Sequence, residues 1–352
     1  MVQSMSPASE ADLAWQDDML QGVSRTFALT IPELPGELRT VVANAYLLCR
    51  IADTIEDSTA LTVEEKKAFS EHFVAAVAGE QSAETFAEAL YPRLDDSSTE
   101  DERLLVRDTP RVLRITRQFS PADQQALHTC VQTMVEGMEV FQEGQFTEGL
   151  KDERHMDTYC YHVAGVVGEM LTELFCNHCP DIAKRRFELS QLAASFGQGL
   201  QMTNILKDIW ADKERSVCWL PRSTFDQAGF DLANLSPEQR DAAFEEGLGH
   251  LIGVARYHLA NALQYTLLIP PAQSGIRRFC LYALGMAVLT LRNINKRRDF
   301  TSGNEVKISR RSVYATVFLS KTLGRFNLPL AFLFRVLTLG LPKPPEPKPA
   351  QL

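Results

Sequence analysis

Two short stretches gather side chains able to do chemistry. In AYLLCRIADTIED, residues 45–57, Asp53 and Asp57 lie four residues apart and Arg50 one turn earlier, so on a helix the three share a face. Two like charges at that spacing weaken an isolated helix by roughly 0.2–0.5 kcal/mol, and the apolar residues before them point to burial. Something positive should sit between them. In GLQMTNILKDIWAD, residues 199–212, Asn204, Asp208 and Asp212 recur every four residues with Gln201 a turn before. That spacing draws one line of oxygens along an otherwise apolar helix. Carboxylate and amide oxygens are hard ligands suited to magnesium, which keeps several waters while bridging one or two carboxylates to substrate phosphates. A lone pair of aspartates four apart is ordinarily a solvated acidic face. Two such seams, each embedded in apolar sequence, predict instead a pair of facing helices whose metals, not whose carboxylates, grip a diphosphate.

The elements that must position these seams read as helices almost throughout, because apolar residues recur near every 3.6 positions and clean alternation is nearly absent. Ser120-Pro121-Ala122-Asp123 opens one helix with a capping serine, a proline at the first helical position and an acid in the first turn. Ser236-Pro237-Glu238-Gln239 has the same composition and predicts another start. Phe244, Leu248, Leu251, Ala255, Leu259 and Ala262 then form one apolar stripe that should stop near Pro270-Pro271. Leu220-Pro221 is expected to end a helix. No Gly/Ser linker divides the 352 residues. The expectation is an all-α chain with an N-terminal segment at 1–20, one domain at 21–341 and a disordered proline-rich tail at 342–352.

The net charge of −9 gives no field for nucleic acid, whose capture rests on neutralising phosphates. Seven scattered cysteines, an odd number, argue against a disulfide framework and for a reducing, cytoplasmic compartment. Cys176 and Cys179 lack the second pair a structural zinc site needs. The start of the chain has no apolar run of the signal-peptide kind. Residues 328–341 are strongly apolar but too interrupted to span a bilayer. They read first as a core or substrate-channel helix, and second as an interfacial helix giving peripheral membrane contact.

Taken in order, Ser24-Arg25-Thr26-Phe27, Tyr46 with Arg50, Asp53 and Asp57, Tyr159 with Gly165 and Gly168, and Gln201 with Asn204, Asp208 and Asp212 resemble the squalene and phytoene synthase family from about residue 24 to 317. The resemblance implies an all-helical isoprenoid synthase fold, helices surrounding a large apolar cavity that takes two prenyl diphosphates. It implies Asp53, Asp57, Asn204, Asp208 and Asp212 as magnesium ligands, direct or through water. Ser24, Arg25, Arg50, Lys207, Arg215 and Gln201 are its candidates for diphosphate oxygens, and Tyr159 for proton shuttling or cation stabilisation in the first step. His162, Gly165 and Gly168 read as structural, the glycines admitting a close neighbour. Two departures stand out: Ala211 replaces an acid that often precedes the last aspartate, and KERSVCWLP after Asp212 is spaced differently from the expected glycine-containing loop. Phe279-Cys280, the stretch from Met286 to Leu291, and Val306-Lys307-Ile308 resemble the squalene branch more than the phytoene branch. That implies two farnesyl diphosphates joined through presqualene diphosphate and reduced with NADPH. No G-x-G-x-x-G is present, so the nucleotide would use another surface, with Lys307 and Arg310 its candidates. Phytoene or dehydrosqualene formation, without reduction, is the alternative, and a non-catalytic helical partner subunit the remote one. The sequence leaves the oligomeric state open.

Overall fold

The computed structural model describes residues 8–344 other than 25, 143, 145 and 240. Arg25 and the tail from 345 to 352 lie outside the described residues. The chain is 77% helical, and among the described residues no strand forms beyond an isolated parallel bridge between Leu150 and Pro221. The all-α expectation holds. The residues fall into two compact units, Met1–Gly144 with Glu169–Arg186, and Gln145–Gly168 with Phe187–Leu352.

In the first unit, α1 (Glu10–Val23), α2 (Gly36–Asp57) and α3 (Pro121–Gln142) carry the framework. Helix α2 buries Leu38, Val41, Ala45, Leu48, Ala52 and Ile55 at steps of three and four and packs on both α1 and α3, the arrangement its period predicts. Helix α3 begins as read from sequence, with Ser120 Oγ accepting from the Asp123 backbone N–H at 3.2 Å. A buried polar knot fixes where α2 sits. The Asn44 amide donates to Gln16 of α1 at 3.1 Å and to the Val112 carbonyl at 3.0 Å, and its oxygen accepts from Thr116 at 2.7 Å. Every arm of this buried side chain is used, and removing a partner would cost about 1–3 kcal/mol. Because α1 already buries Met19, Leu20 and Gln16, packing begins before residue 21.

In the second unit lie α4 (Glu153–Cys160), α5 (Arg186–Glu214), α6 (Ala242–Leu268), α7 (Ser274–Lys296), α8 (Arg310–Leu323) and α9 (Asn327–Leu337). All six residues of the predicted stripe on α6 are buried, and the helix ends before Pro270. Its start differs from the expectation. Asp241, not Ser236, caps it by accepting from the Phe244 N–H at 2.9 Å, while residues 236–239 form a turn. Likewise Leu220-Pro221 ends no helix; Pro221 precedes the helix Arg222–Ala228. Two glycines permit close approach within this unit. A Cβ on Gly168 would fall 2.1 Å from the Ala193 oxygen, and one on Gly197 2.0 Å from the Ala164 oxygen, so any larger residue would push the segments apart.

Helix α7 is long and apolar enough to cross a bilayer by length and composition, yet buries twelve side chains against α6, α8 and α9. Helix α9 is the reverse. The preferred reading of residues 328–341 as a core helix is overturned: within α9 only Leu330 is buried, while Leu328 is 84% exposed. At its far end the chain is tied down by Arg256, which donates to the carbonyls of Leu341 and Pro342.

Candidate active site

In the first unit, Asp53 and Asp57 occupy the last turns of α2, Asp53 partly buried and Asp57 exposed. Arg50 lies 3.7 Å from Asp53 and also 3.7 Å from Glu102. Its guanidinium donates to the Tyr46 hydroxyl at 2.9 Å, which in turn donates to the Val23 carbonyl at 3.0 Å. Among the described residues the Arg50 Nε, which is buried, has no hydrogen-bond partner. Burial opposes the charge on Arg50, but Asp53, Tyr46 and Glu102 together hold its pKa above the ordinary value. Asp53 is pushed up to about 7: burial dominates, Arg50 pulls down, and Asp57 and Glu102 push up again. The expected positive charge is therefore present but insufficient. Asp53 and Glu102 share Arg50 at two long contacts, and Asp57 acts on Lys66 as well, yet Asp53 keeps a raised pKa, a field that favours a further cation.

Ser24 belongs to the same neighbourhood. Its hydroxyl accepts from the Phe27 N–H at 2.9 Å, and the Phe27 ring lies 5.1 Å from that of Tyr46. Glu102 was not a sequence candidate. Thr99 and Glu102 form a capping box, which signals a helix start, but its approach to Arg50 arises only from tertiary packing.

In the second unit, the seam on α5 runs from half-buried Gln201 through exposed Asn204 and partly exposed Asp208 to buried Asp212. Here the chain supplies its own cations. Lys207 Nζ sits 3.0 Å from Asp208 and 3.5 Å from the Asn204 oxygen, and Arg215 meets Asp212 at 2.6 Å. The loop after α5 places Ser216 at φ +61°, a left-handed conformation that favours glycine, within the stretch read as spaced differently from a glycine-containing loop. It then carries Trp219 to Tyr159. The two rings stack at 3.9 Å and 10°, with Phe146 6.0 Å from Trp219, and Tyr159 is buried. A π-helical turn, Tyr161–Gly165, follows α4 directly; such turns are frequent at functional sites.

The segment from Phe300 to Gly303 also borders this seam. The Phe300 carbonyl accepts from Trp210 Nε1 at 2.8 Å, and a Cβ on Gly303 would lie 3.1 Å from an Asp208 oxygen. Lys307 and Arg310 follow it, both exposed. Neither Trp219 nor Gly303 carries a sequence signal that spacing alone could reveal. Among the described residues no three His, Cys, Asp or Glu side chains converge as a self-sufficient metal cluster. Any ion held by these seams must complete its coordination with amide, water or substrate oxygens.

The fold is that of the all-helical isoprenoid synthases. The solved structure of TcSQS with the ligand BPH1237 superposes with a TM-score of 0.73 at 23% identity, covering 97% of this chain and 94% of that one. Residues 20–312 match the squalene/phytoene synthase family, and the chain belongs to that family. Among curated relatives, squalene synthase ERG9 of Saccharomyces cerevisiae is 27% identical over 87% of this chain and 66% of its own length. Squalene synthase of Solanum lycopersicum is 31% identical over 78% of this chain and 62% of its own. The chain thus spans about two thirds or less of the length of these relatives.

Proposed function

We propose that the chain joins two farnesyl diphosphates head to head through presqualene diphosphate and reduces that intermediate with NADPH to squalene. The observation that carries this reading is the family match over residues 20–312, together with squalene synthase relatives at 27% and 31% identity.

Magnesium suits the donor set. Asp53 is an under-compensated carboxylate beside Asp57 and Glu102, and the α5 seam offers amide and carboxylate oxygens in line. Asp53 and Asp57 on α2, and Asn204, Asp208 and Asp212 on α5, would each hold magnesium directly or through water. Bound there, it supplies Lewis-acid stabilisation of a departing diphosphate. The rest falls to the chain's own residues. Arg50, Ser24, Gln201, Lys207 and Arg215, together with Arg25 by its place in the sequence motif, would take diphosphate oxygens, where donors and positive charges stabilise developing negative charge. Tyr159, its ring plane fixed by Trp219, presents its phenol to the first step as proton carrier or stabiliser of the allylic cation. Lys307 and Arg310, exposed and basic, suit the phosphates of NADPH, which supplies hydride when bound.

Incubating purified protein with labelled farnesyl diphosphate and magnesium, with and without NADPH, tests the reading. Squalene should appear only with NADPH. A product unchanged by NADPH would overturn the reductive half and leave dehydrosqualene formation, and acceptance of geranylgeranyl diphosphate alone would move the chain to phytoene synthesis.

A further inference from the structure

We propose that the second unit holds a small monovalent anion, a halide or a carboxylate, on the buried guanidinium of Arg277. This residue lies in the first turns of α7 and is 0% exposed. Ile276, Phe279, Cys280 and Leu281 beside it on the helix are buried as well. One arm of the guanidinium is used: Nη2 donates to the side-chain oxygen of Asn327, whose own amide donates to the Leu267 carbonyl at 3.4 Å. Among the described residues Nε and Nη1 have no hydrogen-bond partner, and no carboxylate acts on the group. Arginine keeps its proton in proteins, so a full positive charge sits in apolar surroundings against one neutral amide. A buried charge is costly unless it is both paired and hydrogen-bonded.

The surrounding side chains do not supply the counter-charge. Burial draws the Arg277 pKa down, and the Cys280 thiol is the group that acts against that shift. Cys280 cannot itself serve as the anion, because burial pushes its pKa up to about 12 and keeps it a neutral thiol. Nearby helix ends add positive potential. Helix α7 starts at Gln273 and α9 at Phe326 without a side-chain cap, which leaves backbone N–H groups and the positive end of each helix dipole for another acceptor. Side chains on a helix tilt toward its N-terminus, so Arg277 leans to the start of α7 while its Nη2 meets the first residue of α9. The Leu267 carbonyl at the end of α6 has the opposite sign, but it accepts from Asn327 rather than from Arg277. One negative charge balances the guanidinium, whereas a dianion would leave a second charge unpaired in the same apolar setting. Bound there, the anion completes a link from α7 through Arg277 and Asn327 to α6 and α9, and couples their packing to anion concentration. The inference draws on no residue of the acidic seams and stands whatever product the chain makes.

Thermal melts of the full chain at constant ionic strength, with bulky sodium gluconate exchanged stepwise for sodium chloride or sodium formate, test the site. The wild-type midpoint should rise saturably by about 3 °C or more with at least one of the two small anions. The anion with the lower half-saturating concentration tells a halide site from a carboxylate site. Arg277→Leu should abolish the saturable rise and, in gluconate, should melt at or above the wild-type midpoint, because an uncompensated charge has gone. Wild-type crystals grown in bromide or in formate give a readout that needs no variant: an anomalous peak, or the density of a carboxylate, within hydrogen-bond distance of Nε or Nη1. Water alone on both nitrogens in both crystals would overturn the proposal. So would a wild-type midpoint indifferent to both salts, or an equal rise in Arg277→Leu.

Discussion

The two acidic seams solve one electrostatic problem in opposite ways. On α2 Asp53 is short of positive charge: it shares a guanidinium 3.7 Å away with Glu102, and its pKa rises to about 7. On α5 the chain closes its own books, with Lys207 at 3.0 Å from Asp208 and Arg215 at 2.6 Å from Asp212. A cation arriving at α2 relieves repulsion already present, whereas one arriving at α5 must displace or share existing partners. The difference teaches that equal sequence spacing does not imply equal readiness for metal. Burial and the neighbours brought in by packing set that readiness.

Neutralising each seam in turn gives the largest expected effects. Asp53→Asn and Asp208→Asn should each lower turnover by about two orders of magnitude or more, since both remove charge that would anchor the metal. Their effects on stability should diverge. Asp53→Asn removes a poorly compensated carboxylate and should leave denaturant stability equal or higher at pH 8. Asp208→Asn breaks a partly exposed pair worth roughly 0–1 kcal/mol and should change it little. Wild-type turnover in either variant would remove that seam from the chemistry.

A second contrast lies inside the first unit and concerns pH. Asp12 accepts from the Ser9 N–H at 3.0 Å and from Arg111 and Arg114 at 2.9 and 3.3 Å. The backbone donor chiefly, then the two guanidinium groups, hold its carboxyl well below the usual range despite burial. Its contribution to stability is therefore present above the ordinary carboxylate pKa and lost as pH falls through the depressed value. Asp53 has the opposite sign. Its folded pKa of about 7 exceeds the ordinary 3.8, so between those values the folded state binds more protons and stability falls as pH rises. Without magnesium, thermal melts should show resistance to unfolding declining from pH 5 to 8, and Asp53→Asn should flatten that decline. Asp12→Asn should lower stability near neutrality and reduce the acid-side loss. A decline unchanged in Asp53→Asn would show that the carboxylate is better compensated than its neighbours indicate.

Much of this was legible in the sequence because helices repeat. The four-residue spacing of the seams, the stripe on α6 and the serine–proline start of α3 are all local patterns, and each appears where the period puts it. What escaped depends on contacts between distant residues. Glu102 reaches Arg50 and Trp219 covers Tyr159 only after folding. Helix α9 was misread because apolar composition does not by itself mean burial; much of any folded surface is apolar. The second serine–proline start lost to Asp241, whose carboxylate caps α6 instead.

The smallest expected effect lies where the seams end. Helix α2 passes into Ser58 at φ −61°, an ordinary extended exit, whereas the chain after α5 turns through Ser216 at φ +61°. A side chain in the left-handed region costs roughly 1–2 kcal/mol, and glycine avoids that cost while giving the unfolded chain more freedom. Ser216→Gly should therefore raise stability by about 0.5–1 kcal/mol in denaturant titrations. The turn is held by Ser216 N–H to the Lys213 carbonyl at 2.9 Å and Val217 N–H to the Asp212 carbonyl at 3.0 Å. These backbone bonds do not need the serine side chain, so the Arg215–Asp212 pair and turnover should persist. If turnover falls while stability rises, the serine does more than complete a turn, and the self-neutralised end of the second seam depends on that strained position.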